Sequence, residues 1–566
     1  MAHFRDVWPR LIVVLILFVI LGAGIAGPSA MPAPIRFEEI AAKAGLRFEL
    51  RNGAAGQFHQ IELTAGGVGV LDYNNDGCTD IFFTNGAAIP SLRKTGTEFH
   101  NRLYRNNCDL TFTDVTAEAG LAGEGYSVAA AMGDFDNDGF ADIFVAGVKG
   151  NILYRNLGNG RFADVTADAG VSGADPKFGK MWAVSAGWLD YDNDGWLDLF
   201  VSNYVVWDAK TEPRCGTTEK QSYCHPNAYG GLPGQLFHNN HDGTFTDVSQ
   251  ASGIGRHIGK GMGVAFADLD GDGLTDIFVA NDSVRSFLFH NRGDGTFEEI
   301  GLEAGVALRD DGFGIAGMGC DFRDFDNDGK PDLIVSGIVH DSFLLFRNLG
   351  TRSLFEDFAL RSGLSMGTRQ FTGWSLGMYD LDNDGWKDLF FALSHLAQSD
   401  RFAGPDSTLQ NRVFRNIGGK RFEDVSLAAG PDFQRAAMHR GVAFADFDND
   451  GRVDAVVSVV NGPAKLFRNI TGGGGHWLAI RLRGRRANRQ GLGAVVHVRL
   501  PDGRDLYNQA TTAVGYASSS EALVRFALGS NRAVESIEVR WPGGDIQQLG
   551  KVVADRVVDV VQEAKP

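Results

Sequence analysis

The nine residues from Asp134 read DFDNDGFAD, with carboxylates at positions 1, 3, 5 and 9 and a glycine at position 6. Like charges this close repel, so a short loop holding Asp134, Asp136, Asp138 and Asp142 is costly unless a cation sits among them. Calcium takes about six to eight oxygens in flexible geometry, and this loop offers four side chains and a backbone carbonyl at position 7. Position 12 is Val145, where a helix-loop-helix calcium motif carries glutamate, so the loop is not an EF-hand. Magnesium tolerates an all-protein cage poorly, and transition metals favour imidazole or thiolate, which the nine-residue loops lack apart from Cys78 in the first.

The motif occurs seven times. The predicted metal positions are Asp72, Asn74, Asp76 and Asp80 in the first copy and Asp134, Asp136, Asp138 and Asp142 in the second. Asp190, Asp192, Asp194 and Asp198 form the third, and Asp268, Asp270, Asp272 and Asp276 the fourth. The last three are Asp324, Asp326, Asp328 and Asp332, then Asp380, Asp382, Asp384 and Asp388, then Asp446, Asp448, Asp450 and Asp454. A lone Asp-Gly turn is often just a solvated loop; seven in register are not. These loops hold 27 of the 70 acidic residues, and up to seven Ca²⁺ would move the formal charge from −17 to about −3. With Asn74 in place of an acid, the Asp72 loop is expected to bind most weakly.

Two further phrases keep step with the loops. LYRN and its variants end at Asn106, Asn156, Asn239, Asn291, Asn348, Asn416 and Asn469. A third phrase begins at Phe112, Phe162, Phe245, Phe297, Phe355 and Phe422, and its seventh copy, at Phe37, precedes the first loop. Apolar runs after each loop, such as DIFVAG, are too short for helices and rich in Val, Ile and Phe. The spacing predicts an all-β fold: a seven-bladed β-propeller over residues 35–471, each blade of four strands. The Phe37 strand would close the ring, so that no sheet edge is left open.

Residues 1–32 place Arg5 and Arg10 before an apolar run from Leu11 to Gly27, the pattern of an export segment, either a cleaved signal peptide or a retained N-terminal membrane anchor. The protein is therefore expected outside the cytoplasm: secreted, periplasmic or at the cell surface, with membrane contact only through that segment. In such a compartment Cys215 pairs with Cys224 inside one polar insertion, Cys78 pairs with Cys108 across two turns of one repeat, and Cys320 is a buried free thiol. The acidic balance argues against nucleic-acid binding.

The loops within Gly- and Phe-rich units resemble the FG-GAP, or VCBS, repeats of the integrin α-chain propeller and of many bacterial exported proteins. NRQGLGAVVHVRL (488–500), GYASSSEALVRFALG (515–529) and VESIEVRWPGG (534–544) look like an ASPIC/UnbV domain, here a small β-domain over 474–563. The combination is similar to the cartilage acidic protein family and its bacterial relatives. That resemblance implies a calcium-binding secreted or surface propeller with no established catalysis. GYASSS departs from a family segment that usually ends in Ser-Gln.

Read alone, the tail alternates as strands do, and RLRGRRANR gathers Arg481, Arg483, Arg485, Arg486 and Arg489, fit for an anionic polysaccharide, for an acidic face of the propeller or for a solvated edge. The leading functional expectation is a binding or adhesion module for an extracellular protein or glycan, using insertions at 84–101, 203–235 and 391–411 on the face opposite the acidic loops. Trp207, Tyr223, His225 and Tyr229 suit sugar or protein contact, or else pack their own loop; removal of 208–230 is expected to abolish capture and spare the fold. The alternative is a propeller-based polysaccharide lyase or hydrolase with His225, His257, His340, His395 and His439 as acid-base candidates. The absence of HExxH weighs against catalysis.

Overall fold

Each acidic loop is a hairpin connection whose last aspartate is already the first residue of a strand. In the computed structural model, which describes residues 33–217, 219, 221–350, 354–396, 407–473 and 475–564, Gly133 pairs with Asp142 across the loop between them. The export segment lies outside the described residues, as does 397–406 within the third insertion. Among the described residues no helix is long and apolar enough to cross a membrane.

The fold is all-β, of a kind consistent with a propeller. Strands Tyr126–Gly133, Asp142–Val148, Ile152–Asn156 and Phe162–Asp164 pair antiparallel in chain order. The same four-strand order recurs in sheets that begin at Val68–Leu71, Ala183–Leu189, Gly261–Ala267, Cys320–Arg323 and Gly373–Tyr379. A further sheet begins at His439–Ala445, and its fourth strand is Phe37–Glu39, with Phe37 opposite Asn469 and Glu39 opposite Phe467. The first strands touch one another in chain order, and His439–Ala445 also touches Val68–Leu71.

Apolar packing between neighbouring sheets holds this arrangement. First strands are small-residue strands because the next sheet's rings lie on them. A Cβ on Gly133 would come within 2.6 Å of the Trp188 ring, and one on Gly187 within 2.4 Å of the Phe266 ring. Phe135 stacks on Trp188 at 6.0 Å, and Tyr379 packs on Phe444 at 4.5 Å. Such pairs add about 0.5–1.5 kcal/mol to the area they bury.

The tail forms two larger sheets and a short ladder of Ala533–Val534 with Val552–Val553. In one, His476–Arg483 lies between Val524–Gly529 and Arg556–Val561; in the other, Val495–Arg499 lies between Asp505–Gln509 and Ser536–Arg540, with Ile546–Leu549 at the edge. Between Gln509 and Glu521 the chain leaves these sheets and bonds to every one of the seven first strands. Ser519 N–H donates to Val68 O (3.0 Å), and Ala130 N–H donates to Ala517 O (3.3 Å). Ala517 N–H donates to Ser185 Oγ (3.1 Å), and Gln509 Nε2 donates to Phe266 O and Phe322 O, both at 3.0 Å. Gly515 N–H donates to Cys320 O (2.8 Å), Tyr516 N–H to Ser375 Oγ (2.9 Å), and Glu521 N–H to Phe444 O (3.1 Å). The GYASSS segment and its flanks therefore lie along the seven first strands. They satisfy polar groups that these strands, hydrogen-bonded on one side only, would otherwise bury unpaired.

Candidate metal centre

The seven loops share one set of local hydrogen bonds. At position 9 a buried aspartate accepts twice. Asp142 takes Phe135 N–H on Oδ2 (3.0 Å) and Asn156 N–H on Oδ1 (2.7 Å). Asp388 takes Leu381 N–H (2.9 Å) and Asn416 N–H (2.8 Å) in the same way. At position 1, Asp134 Oδ2 accepts Gly139 N–H at 2.8 Å, and Asp380 Oδ2 accepts Gly385 N–H at 2.6 Å. Position 4, glycine (Gly271) in the Asp268 loop and asparagine in the other six, adopts the left-handed conformation, φ 56° at Asn137 and 58° at Asn383, which asparagine tolerates better than most residues. Its amide then reaches the next loop: Asn137 donates to Gly195 O (2.9 Å), Asn327 to Gly385 O (2.9 Å) and Asn449 to Gly77 O (3.5 Å).

These bonds hold the carboxylates together. Ligand oxygens of Asp134, Asp136 and Asp142 lie within 4.8 Å of one another, as do those of Asp190, Asp192 and Asp198. Burial, reinforced by neighbouring acids, raises Asp80 and Asp190 to about 8 and Asp134 to about 7. Burial also raises Asp142, Asp332, Asp388 and Asp454 well above the usual carboxylate range. In the Asp324, Asp380 and Asp446 loops the position-3 acids leave Oδ1 of Asp326, Asp382 and Asp448 buried without a hydrogen-bond partner. An all-oxygen set with buried, unpaired carboxylate oxygens fits calcium.

The sequence reading did not foresee the cations of the third strand, although the residue before each phrase-ending asparagine is basic. Arg347 pairs with Asp326 (2.7 Å), Arg415 with Asp382 (2.8 Å), Arg468 with Asp448 (2.6 Å) and Arg155 with Asp136 (2.5 Å). In the first loop, where position 3 is the neutral Asn74, Arg105 turns instead to Asn107 (3.4 Å). The expectation that imidazole is absent is corrected for the folded loops. His238 lies 3.4 Å from Asp192 and Asp198, and His290 lies 3.0 Å from Asp276. The Asp446 loop carries the most positive charge, with Arg452 on Asp450, Arg468 on Asp448 and Arg525 on Asp446 (3.2 Å).

The tail lies against the acidic loops. Arg489 N–H donates to Asn137 Oδ1 (2.9 Å), Arg504 Nη1 to Asp384 O (3.2 Å), and Lys387 Nζ bridges Asp324 O (2.7 Å) and Tyr507 O (2.8 Å). Arg481, Arg483 and Arg489 line a cavity together with Asp72, Asp76 and Asp134. Of the readings of the arginine run, the acidic face matches this placement for those three.

Both expected disulfides are present, Cys78–Cys108 and Cys215–Cys224 with Cα separations of 5.5 and 5.2 Å, and Cys320 is a buried free thiol. The insertion aromatics are inside the molecule: Trp207, Tyr223 and Tyr229 are buried, Tyr223 donates to Glu62 (2.6 Å), and Tyr229 donates to Glu212 (3.0 Å). Of the two readings of these rings, self-packing matches, and removal of 208–230 would open the core. His395 Nδ1 lies 3.4 Å from Thr372 Oγ1, which also accepts Val339 N–H (3.1 Å) beside His340. His439 is buried against Leu393 O and lowered to about 4 by burial, His257 packs on Phe287 and Phe289, and His225 accepts Asn227 N–H (3.1 Å).

The FG-GAP-like repeat family profile matches residues 72–145, 134–201, 227–279, 268–335, 324–391 and 380–457, and the ASPIC and UnbV profile matches 484–566. The chain is 29% identical over 345 residues to cartilage acidic protein 1 of Homo sapiens, covering 56% of this chain and 48% of that protein. It is 31% identical over 317 residues to the Xenopus tropicalis protein of that name, covering 53% and 44%. It thus spans about half the length of the curated relatives it matches. Integrin alpha-4 of Xenopus laevis is 30% identical over 153 residues, 24% of this chain and 14% of that one. A solved Agrocybe aegerita lectin, described by its specific recognition of non-reducing terminal N-acetylglucosamine, aligns over 70% of this chain and 86% of its own at 16% identity and a TM-score of 0.39. The rhamnogalacturonan lyase YesW aligns over 71% of each chain at 14% identity and a TM-score of 0.36.

Proposed function

Because the chain belongs to the FG-GAP-like repeat family and carries a C-terminal ASPIC and UnbV domain, we propose that it is an exported, calcium-stabilised seven-bladed propeller. The strand Phe37–Glu39 completes its last blade, and the whole acts as a binding module. The observation that carries the calcium reading is the buried Oδ1 of Asp326, Asp382 and Asp448, held without hydrogen-bond partners beside further raised carboxyl groups. A buried acid cluster of this kind is stable only when protonated or when a cation sits in it.

On this reading the ions are structural. Each fixes one hairpin, and the position-4 asparagines pass that order to the next loop. The tail covers much of this face, which leaves the opposite face, with the insertions at 84–101 and 203–235, for an extracellular protein or glycan. The disulfides support an oxidising compartment. The likeness to cartilage acidic protein 1 and integrin alpha-4 favours a binding module over a polysaccharide lyase or hydrolase.

Calorimetric titration of chelator-stripped protein tests the calcium reading: several equivalents of Ca²⁺ should bind, and none would refute it. One glycan and extracellular-protein array, scored for capture and for cleavage, tests the role. Capture without cleavage supports a binding module, and cleavage supports the enzyme.

A further inference from the structure

The loop that starts at Asp190 departs from its six counterparts in two independent ways. In the others the position-5 N–H donates to Oδ1 of the position-1 aspartate: Asp76 to Asp72, Asp138 to Asp134 and Asp450 to Asp446 at 3.0 Å, Asp272 to Asp268 and Asp328 to Asp324 at 3.1 Å, and Asp384 to Asp380 at 3.2 Å. In this loop Asp194 N–H keeps only the bond to Asp192 Oδ1 (3.3 Å), which three other loops also make, and Asp190 Oδ1 is left buried without a partner on a residue 1% exposed.

The second departure is chemical. Where four other loops receive an arginine from the third strand, this one receives His238, whose Nδ1 stands 3.4 Å from both Asp192 Oδ2 and Asp198 Oδ1 and hydrogen-bonds to neither. A guanidinium cannot ligate a metal, whereas neutral imidazole is a common ligand for one. A second imidazole, His241, holds Asp194 Oδ2 at 2.6 Å and stacks on Trp196 at 4.8 Å. The Asp268 loop has only half of this pattern: its His290 is hydrogen-bonded to Asp276 Oδ1 (3.0 Å), and its Asp268 Oδ1 is already occupied.

We propose that the Asp190 loop is a transition-metal site, binding a divalent first-row ion such as zinc through Asp190 Oδ1, Asp192, Asp198 and His238 Nδ1, while the other loops are calcium sites. The inference rests on the reading of the loops as cation sites. Nitrogen donors favour first-row transition ions over calcium, which takes oxygen ligands. His241 positions Asp194 beside the ion.

The test uses the full chain, stripped with chelator, equilibrated with Ca²⁺ in large excess over Zn²⁺, desalted and analysed for both metals. About one zinc per chain is expected, with imidazole scattering at the zinc X-ray absorption edge. His238→Arg, which installs the residue found in four sister loops, should lose that zinc while keeping its calcium and its melting temperature; His290→Arg should keep the zinc. Zinc retained by His238→Arg, or no zinc bound by a protein that fills with calcium, overturns the inference and leaves the calcium reading standing. If neither ion binds, both fall.

Discussion

The side-chain amide of Asn106 donates to the backbone carbonyl of Phe447 at 2.9 Å, across 341 residues of sequence. The same bond runs from Asn156 to Tyr73 O (2.8 Å), from Asn291 to Tyr191 O (2.7 Å) and from Asn416 to Phe325 O (2.8 Å), each reaching the preceding loop. It links each acidic loop to a neighbouring sheet, so an ion held at one loop would bear on the order of the next.

Replacement of one of these asparagines should be costly. Asn291→Ala leaves Tyr191 O, Thr275 O and Gly293 N–H without their partner, and buried unpaired groups cost about 1–3 kcal/mol each. A loss of about 3 kcal/mol is expected in denaturant unfolding with calcium present. A loss below about 0.5 kcal/mol would show that these bonds do not hold the sheets together.

Calcium removal should lower the melting temperature markedly. An ion at ten times its dissociation constant stabilises the folded state by about 1.4 kcal/mol per site. The Asp72 loop, with one acid fewer, and the Asp446 loop, with Arg452, Arg468 and Arg525 among its acids, should fill last. Site-by-site NMR or calorimetry of Asp80→Asn and Asp454→Asn checks the order: both variants should lose the weakest phase of the titration and keep the tight ones. Loss of a tight phase would contradict the ranking.

The pH dependence should change sign with calcium. In chelator the folded chain holds Asp80 and Asp190 at about 8 and Asp134 at about 7, above their unfolded values near 3.8. The folded state therefore binds more protons than the unfolded state between about pH 4 and pH 8, and stability falls as pH rises through that window. Calcium needs the deprotonated carboxylates, so its affinity rises over the same range. Melting curves with EDTA should drop from pH 5 to pH 8, and curves with calcium should rise relative to them. Parallel curves would mean that these acids do not bind the ion.

The segment around GYASSS should be sensitive to single atoms. Gly515 has φ 77°, and a Cβ there would lie 2.3 Å from Ser375 Oγ and 2.7 Å from Leu376 O. Gly515→Ala should cost several kcal/mol, about 3 or more. Tyr516→Phe, which loses only the bond to Thr64 O (2.7 Å), should cost about 1–2 kcal/mol. Equal, small effects in thermal unfolding would show that this segment is not packed against the first strands.

What could be read in the sequence was local. The acidic loops, their turns and the strands beside them depend on residues within nine positions of one another, so DFDNDGFAD carries its own hydrogen bonds wherever it occurs. The displaced Phe37 phrase also announced its pairing with Asn469, because a repeat missing at one end has one place to go. The buried insertion rings were not legible, since Trp207 and Tyr223 are polar-loop residues until the disulfide and Glu62 enclose them.

The amino-acid order by itself determined the chemistry of each loop and the four-strand unit around it, since both arise from short-range spacing and alternation. Only the tertiary structure decided that the arginines and histidines of the third strands reach the acids, that the tail covers the acidic face, and that GYASSS lies along the first strands. Those outcomes depend on groups hundreds of residues apart meeting in a water-poor interior, where every unpaired charge and amide must find a partner.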